Sequence, residues 1–122
     1  MMRKMRFETQ KIYEIVISSL SILDENVISE DDYVLIKDKN PNIESDLKYI
    51  SDVVVKPWFL ESEPSRRARI IQSLLFVIEN GEDGVDVVFS GVDFVFSCDI
   101  EDRILFLKRI KIFFEGYIIS SK

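Results

Sequence analysis

The chain has no histidine and only one cysteine among its 122 residues. Without histidine, the commonest general base and the commonest imidazole metal ligand are both missing. Cys98 alone can form no internal disulfide, and a tetrahedral zinc site would have to rest on carboxylates. The four glycines, Gly81, Gly84, Gly91 and Gly116, are isolated from one another, so no Gly-rich loop is available to cradle phosphates. No acidic stretch has the alternating ligands, central glycine and closing glutamate of an EF-hand. Nor does any apolar run approach the ~18–20 uninterrupted residues of a membrane span. Arg3, Lys4 and Arg6 precede an apolar periodic stretch, but Glu8, Gln10, Lys11 and Glu14 interrupt it and no small-residue cleavage site follows. A secretory signal is therefore not expected. The expectation is a cytoplasmic chain that needs no cofactor and carries no motif for a reaction.

What is present is the composition of a folded domain. Hydrophobic residues make up 47% and charged residues 31%, which suits one globular domain spanning residues 1–122. Nine Phe, four Tyr and one Trp supply a core without staples. Charge is unevenly placed. Residues 24–102 hold 19 acids against 7 bases, whereas both flanks are net basic. An acidic middle repels phosphate backbones and attracts basic partners.

Apolar periodicity places the elements. Ile12, Ile15, Val16, Ser19, Leu20 and Leu23 share one face of a helix over residues 7–24. After the acids Asp24 to Asp32, Tyr33–Lys37 reads as a short strand closed by the turn signal Asn40-Pro41. Ile43, Leu47, Ile50 and Val54 step helically, which gives a helix over 44–55 that Lys56-Pro57 should end, although Val53-Val54-Val55 would also suit a strand. Ser62 can cap a helix over 63–79 with Pro64 in its first turn, Ala68, Ile71, Leu74, Leu75 and Ile78 inward and Asn80-Gly81 as the stop.

Val85-Asp86-Val87-Val88-Phe89-Ser90 nearly repeats in Val92-Asp93-Phe94-Val95-Phe96-Ser97. The offset of seven puts matching residues of a single strand on opposite faces. A hairpin over 85–98 turning at Ser90-Gly91 resolves this by pairing Val85, Val87 and Phe89 with Phe96, Phe94 and Val92. Asp86, Val88, Asp93, Val95, Ser97 and Asp99 then point outward. Asp99 can cap a last helix over 100–118, with Asp102 in its first turn and Ile104, Leu107, Ile110, Phe114 and Ile118 inward. The predicted fold is α+β: an antiparallel sheet of at least three strands, including this hairpin, covered by about four helices.

Three features invite a functional reading. Asp86, Asp93 and Asp99 on one sheet face could hold Mg²⁺ for phosphoryl chemistry, although a solvated face needs no such role. Arg66, Arg67 and Arg69 oppose the dipole of their helix and could take an anion, or simply pair with nearby acids. Trp58, after a helix break, is either an interface anchor or a plug for the core. The surface expected to carry a partner comprises Glu30, Asp31, Asp32, Trp58, Glu82, Asp83, Asp86, Val88, Asp93 and Val95. Acids among apolar side chains combine fast steering with burial.

A small acidic domain of this layout, with Glu30-Asp31-Asp32 and the Asp86/Asp93 pair as toxin-facing acids, resembles the immunity proteins of bacterial polymorphic and contact-dependent toxin systems. The resemblance implies a non-enzymatic inhibitor that covers the active site of a basic cognate toxin, a nuclease in the first instance, with acids in place of phosphate. It implies no nucleic-acid or membrane partner. The alternative is a small acidic secretion chaperone or adaptor, similar in size and in its terminal helices. The sequence specifies no oligomeric state.

Overall fold

A computed structural model describes residues 7–120, so Arg3, Lys4 and Arg6 lie outside the described residues. Among those described there is no strand, and the α+β expectation is overturned: the chain is helical. Helices α1 (Phe7–Leu20), α2 (Glu30–Ile36), α3 (Glu44–Ile50), α4 (Lys56–Glu61), α5 (Pro64–Glu79), α6 (Glu82–Ser90) and α7 (Arg103–Ser120) follow in order. A 3₁₀ turn, Ser21–Leu23, extends α1, and a π-helical turn, Ser51–Val55, joins α3 to α4.

The long helices form the frame. Helix α5 packs against both α1 and α7, while α6 closes over α1, α5 and the start of α7. Val16, Leu20 and Leu23 from the first segment, Ile70, Leu74 and Val77 from α5, and Leu107, Ile110 and Phe114 from α7 are completely buried. The inward face of α5 is displaced from the expected one. Ile70, Ser73 and Val77 are buried with Leu74, whereas Leu75 and Ala68 are exposed. Helix α7 buries Phe106, Phe113 and Tyr117 in addition to Leu107, Ile110 and Phe114. No described helix is long and apolar enough to cross a membrane.

Two of the three expected strands are helices. Tyr33–Ile36 falls in α2 with Lys37 as its C-cap, and the helix opens with Ser29 accepting from the Asp32 backbone N–H at 3.1 Å. Glu30, Asp31 and Asp32 then fill its first turn, where carboxylates favour the positive end of the helix dipole. Val85–Ser90 falls in α6. Val85 and Val88 are buried and lie three residues apart, so the segment whose Val85, Val87 and Phe89 alternate as a strand also presents a helical face. The second half of the expected hairpin, from Val92 onward, is irregular. Its only sheet-like pairing among the described residues is an isolated antiparallel bridge between Asp24 and Phe94. Gly91 is no hairpin turn; it ends α6 with φ −92°. It remains glycine-like for another reason, since a Cβ there would lie 2.8 Å from Ile17 Cδ1.

Lys56-Pro57 does not stop the helical path. Proline lacks the N–H that would bond four residues back, and its ring crowds that carbonyl. The wider π turn immediately before it relieves both problems, so the chain continues into α4 with Pro57 in the first turn. This junction is tied to α7. The Tyr117 hydroxyl lies 2.7 Å from Ser51 Oγ and 2.6 Å from Asp52 Oδ1, and its one hydrogen goes to the carboxylate. Lys48 Nζ contacts both Asp52 oxygens at 2.8 Å. Burial alone would raise the Asp52 pKa, but the bonds from Lys48 and Tyr117 outweigh it and hold the group below its ordinary value of 3.8. Burial, with Asp52 next, pushes the Tyr117 hydroxyl well above its ordinary value.

Replacing Tyr117 with phenylalanine should therefore cost about 1–2 kcal/mol, the worth of a hydrogen bond to a partly exposed charged group. Because the folded pKa of Asp52 is depressed, its contribution is complete above 3.8 and is lost as pH falls through the lower folded value. Urea unfolding at neutral pH and at successively lower pH checks this. The gap between wild type and Tyr117→Phe stays constant near neutrality and narrows in strong acid.

Candidate functional site

The end of α6 and the start of α7 are separated by an irregular segment, residues 91–102, that closes one face of the molecule. Two sets of polar contacts hold it down. At its beginning, Asp24 Oδ2 accepts from the Asp93 backbone N–H at 3.0 Å, while Asp24 Oδ1 accepts from the Asn26 N–H at 2.8 Å. The Asn26 and then the Asp93 backbone bonds hold the Asp24 carboxyl below its ordinary pKa. Backbone bonds from Glu25 to Asp93 and from Val95 to Leu23 complete the attachment. At its end, Asn42 donates to the Asp99 carbonyl at 2.9 Å and accepts from the Glu101 N–H at 2.8 Å. Asp102, not Asp99, caps α7, accepting from the Leu105 N–H at 3.0 Å; the helix starts three residues later than its sequence signals suggest.

Pinned at both ends, the segment lays Phe94 and Phe96 in a stack, with centroids 5.5 Å apart and planes 10° apart. Phe94 also meets Phe89 at 5.4 Å and the edge of Phe106 at 5.5 Å. An open cleft of about 570 Å³ is lined by Phe89, Phe94 and Phe96 with Glu25, Asp93 and Asp99. Arg103 divides it from a second cleft of about 460 Å³, lined by Glu82, Asp86, Glu101 and Asp102. The Arg103 guanidinium sits 5.0 Å from the Phe89 ring centroid and bonds Asp86 Oδ1 at 3.1 Å. Both members of that ion pair are half exposed or more, so it contributes little stability. The other six acids form no ion pair with any described residue.

The face thus joins half-buried aromatic rings to a rim of seven carboxylates served by one guanidinium. That arrangement favours lysine- or arginine-bearing groups, by charge at the rim and by cation–π contact with the rings. Cys98 is exposed and donates to Asn40 Oδ1 at 3.5 Å. Among the described residues no three His, Cys, Asp or Glu side chains are grouped to hold a metal ion, and the outward sheet face that would have gathered Asp86, Asp93 and Asp99 does not exist.

The residues singled out from sequence are distributed unevenly. Glu82, Asp86 and Asp93 line the two adjoining clefts. Asp83 is exposed in the first turn of α6 but lines neither. Val88, expected to face outward, is fully buried, because on a helix it joins Val85 in the core. Val95 is half-buried against that core. Trp58 is half-buried on α4 and packs against the core as well. Glu30, Asp31 and Asp32 lie on α2 beside exposed Tyr33, Val34 and Leu35. They form a separate acidic and apolar patch that lines neither cleft.

Arg66 and Arg69 border grooves between α1 and α5 with Lys11, and neither forms an ion pair with a described residue. Arg67 instead donates to the Leu60 carbonyl.

Phe89, Phe94, Phe96, Glu25 and Arg103 were not candidates from sequence. Reading the phenylalanines as the inner face of a hairpin hid them, although a Phe-x-Phe run between acids is itself a surface-anchor signal. Comparison with known proteins finds no matching family model, no similar curated protein and no similar solved structure.

Proposed function

We propose that this chain is a non-enzymatic binding protein whose acidic, aromatic face receives a basic protein, and that it acts in the cytoplasm as an inhibitor of a cognate bacterial toxin, a nuclease in the first instance. The observation that carries the reading is the pair of adjoining clefts in which seven acids surround Phe89, Phe94 and Phe96, with Arg103 as the only cation among the described residues that line them. Aromatic anchors within a polar rim are the usual makeup of binding hot spots. Carboxylates spaced along such a face can occupy the phosphate positions of a nuclease active site. The resemblance to immunity proteins rests on size and acidity; its α+β layout is not shared by this helical chain.

The test is a tagged pull-down from the native cell, washed at low and then high salt, with the captured protein purified for affinity and activity assays. A basic partner that salt releases, and whose nuclease activity the chain suppresses, is the expected result. Asp86→Lys combined with Asp93→Lys should weaken binding about a hundredfold or more, since like charges across an interface cost several kcal/mol. Glu63→Lys, an exposed acid outside both clefts, should leave it unchanged. Undiminished affinity in the double variant would remove this face from the interface. A captured partner that is an extended apolar segment retained at high salt would instead make the chain a chaperone.

A further inference from the structure

Helix α7 presents apolar side chains outward as well as inward. Leu105, Ile112 and Ile119 are 38%, 61% and 72% exposed, and they recur at intervals of seven. Side chains seven residues apart lie almost in line along a helix, so these three form a narrow apolar ridge of the kind that can pack against a second helix. Gly116 lies on the same side and is exposed. A mid-helix glycine costs about 1 kcal/mol against alanine, and nothing of the described chain lies within 4 Å of a Cβ built there. Its own fold therefore gives no reason for a glycine, whereas a second helix approaching closely does.

We infer that this face of α7 pairs antiparallel with α7 of a second copy of the chain, about a two-fold axis at Ile112. The side chains are self-complementary in that register. Ile112 meets its own counterpart, and Leu105 meets Ile119 of the second copy. At about 100° per residue, Lys108 and Glu115 fall on one flank of the seam and Gly116 on the other. In an antiparallel pair about this axis, like flanks meet. Glu115 of the second copy then stands at the height of residue 109, about 1.5 Å along the axis from Lys108, so each copy forms the same cross-pair. Parallel pairing in register would instead bring unlike flanks together, setting Lys108 near Arg109 of the second copy and Glu115 near its Gly116, which repels at one level and forms no ion pair at the other. Glu115 bonds Lys111 at 3.1 Å yet keeps 45% of its side chain exposed, leaving an oxygen for a second cation. A single helix face is smaller than the interface of a permanent dimer, so association follows protein concentration. Antiparallel pairing also sends the two acidic faces, which adjoin the starts of the two α7 helices, to opposite ends of the pair.

Sedimentation equilibrium of the full chain from low-micromolar to submillimolar concentration tests the inference. The wild type should rise from monomer to twice its mass. Ile112→Glu places two carboxylates face to face on the axis and should remain monomeric throughout, with the helical circular dichroism of the wild type because the site is exposed. Lys108→Glu should weaken association at least tenfold, and adding Glu115→Lys should recover it by exchanging both charges. A wild type that stays monomeric, an Ile112→Glu variant that still dimerises, or a double exchange no better than Lys108→Glu would each overturn the pairing.

Discussion

Replacing Phe114 with alanine should lower the unfolding free energy by about 3–5 kcal/mol, the cost of emptying a buried aromatic site. Phe114 and Phe59 are both completely buried, with ring centroids 4.3 Å apart and planes within 5°. Tyr117 lies 6.3 Å from each ring. This cluster is where α4 rests on α7, so the lost ring leaves a cavity at the joint between the two halves of the helical chain. Surrounding side chains belong to rigid helices and can collapse into the space only in part. A domain this size has about 5–15 kcal/mol in total, so the variant loses a large share of it. Urea or thermal unfolding monitored by circular dichroism measures the loss. Val34→Ala, at a site 56% exposed on α2, should shift stability by no more than about 0.5 kcal/mol. A Phe114→Ala loss as small as that of Val34→Ala would mean that α4 does not dock on α7 through this pair.

Gly81→Ala should cost about 1–3 kcal/mol through the backbone alone. Gly81 is the only residue between α5 and α6 apart from the Asn80 cap, and it has φ +77° and ψ −157°. That region is open to glycine and closed to residues with a Cβ. There is no steric contact to blame, because nothing lies within 4 Å of a Cβ at this site. The whole effect is conformational, and for that reason it should be nearly the same for alanine and serine. Equilibrium urea unfolding of both variants checks it. If both keep the wild-type midpoint, the chain does not reverse through this conformation. If serine alone is tolerated, a side-chain contact governs the site instead.

The same reversal shows how far sequence reasoning reached. Asn80-Gly81 correctly marks the end of α5, because the chain leaves this helix through a positive φ at Gly81 that residues with a Cβ rarely adopt. Pro64 in the first turn of α5 and the long apolar periodicity of α1 and α7 are equally legible, since a run of three or more turns satisfies its backbone locally, although the N-cap is Glu63 and not the expected Ser62. Residues 85–90 are different. Val85, Val87 and Phe89 alternate as a strand should, while Val85, Val88 and Phe89 also fit a helix, and six residues are too few to separate the two periods. A strand there needs neighbours. Tyr33–Lys37 was the third strand of the expected sheet, but Ser29 and Asp32 cap that stretch into a helix, and a two-stranded hairpin by itself is marginal in water. With no sheet to join, the segment bonds its backbone internally and drops Val85 and Val88 into the core. The Ser-x-x-Asp signal at Ser29 was present in the sequence; the β-like residues after it obscured it.

The candidate site was legible only in its charge. Excess acid across residues 24–102 pointed to a basic partner, and Glu82, Asp86 and Asp93 do line the clefts. Their grouping with Phe89, Phe94, Phe96 and Arg103 depends on the tethers from Asp24 and Asn42, which reach across about sixty-nine and fifty-seven residues. Local patterns carry no information about such distant contacts.

By itself, then, the sequence determined that there is an apolar core, that long helices lie near residues 7–20, 64–79 and 103–120, and that an acidic surface lacks histidine chemistry. These properties are local or compositional, set by side-chain type and by spacing within a few turns. Only the tertiary structure decided that Val85–Ser90 is a helix, that Val88 is hidden, and that the three phenylalanines gather beneath the acidic rim. Each of those outcomes depends on which distant surface a segment packs against, a free-energy comparison between whole arrangements that no window of the sequence contains.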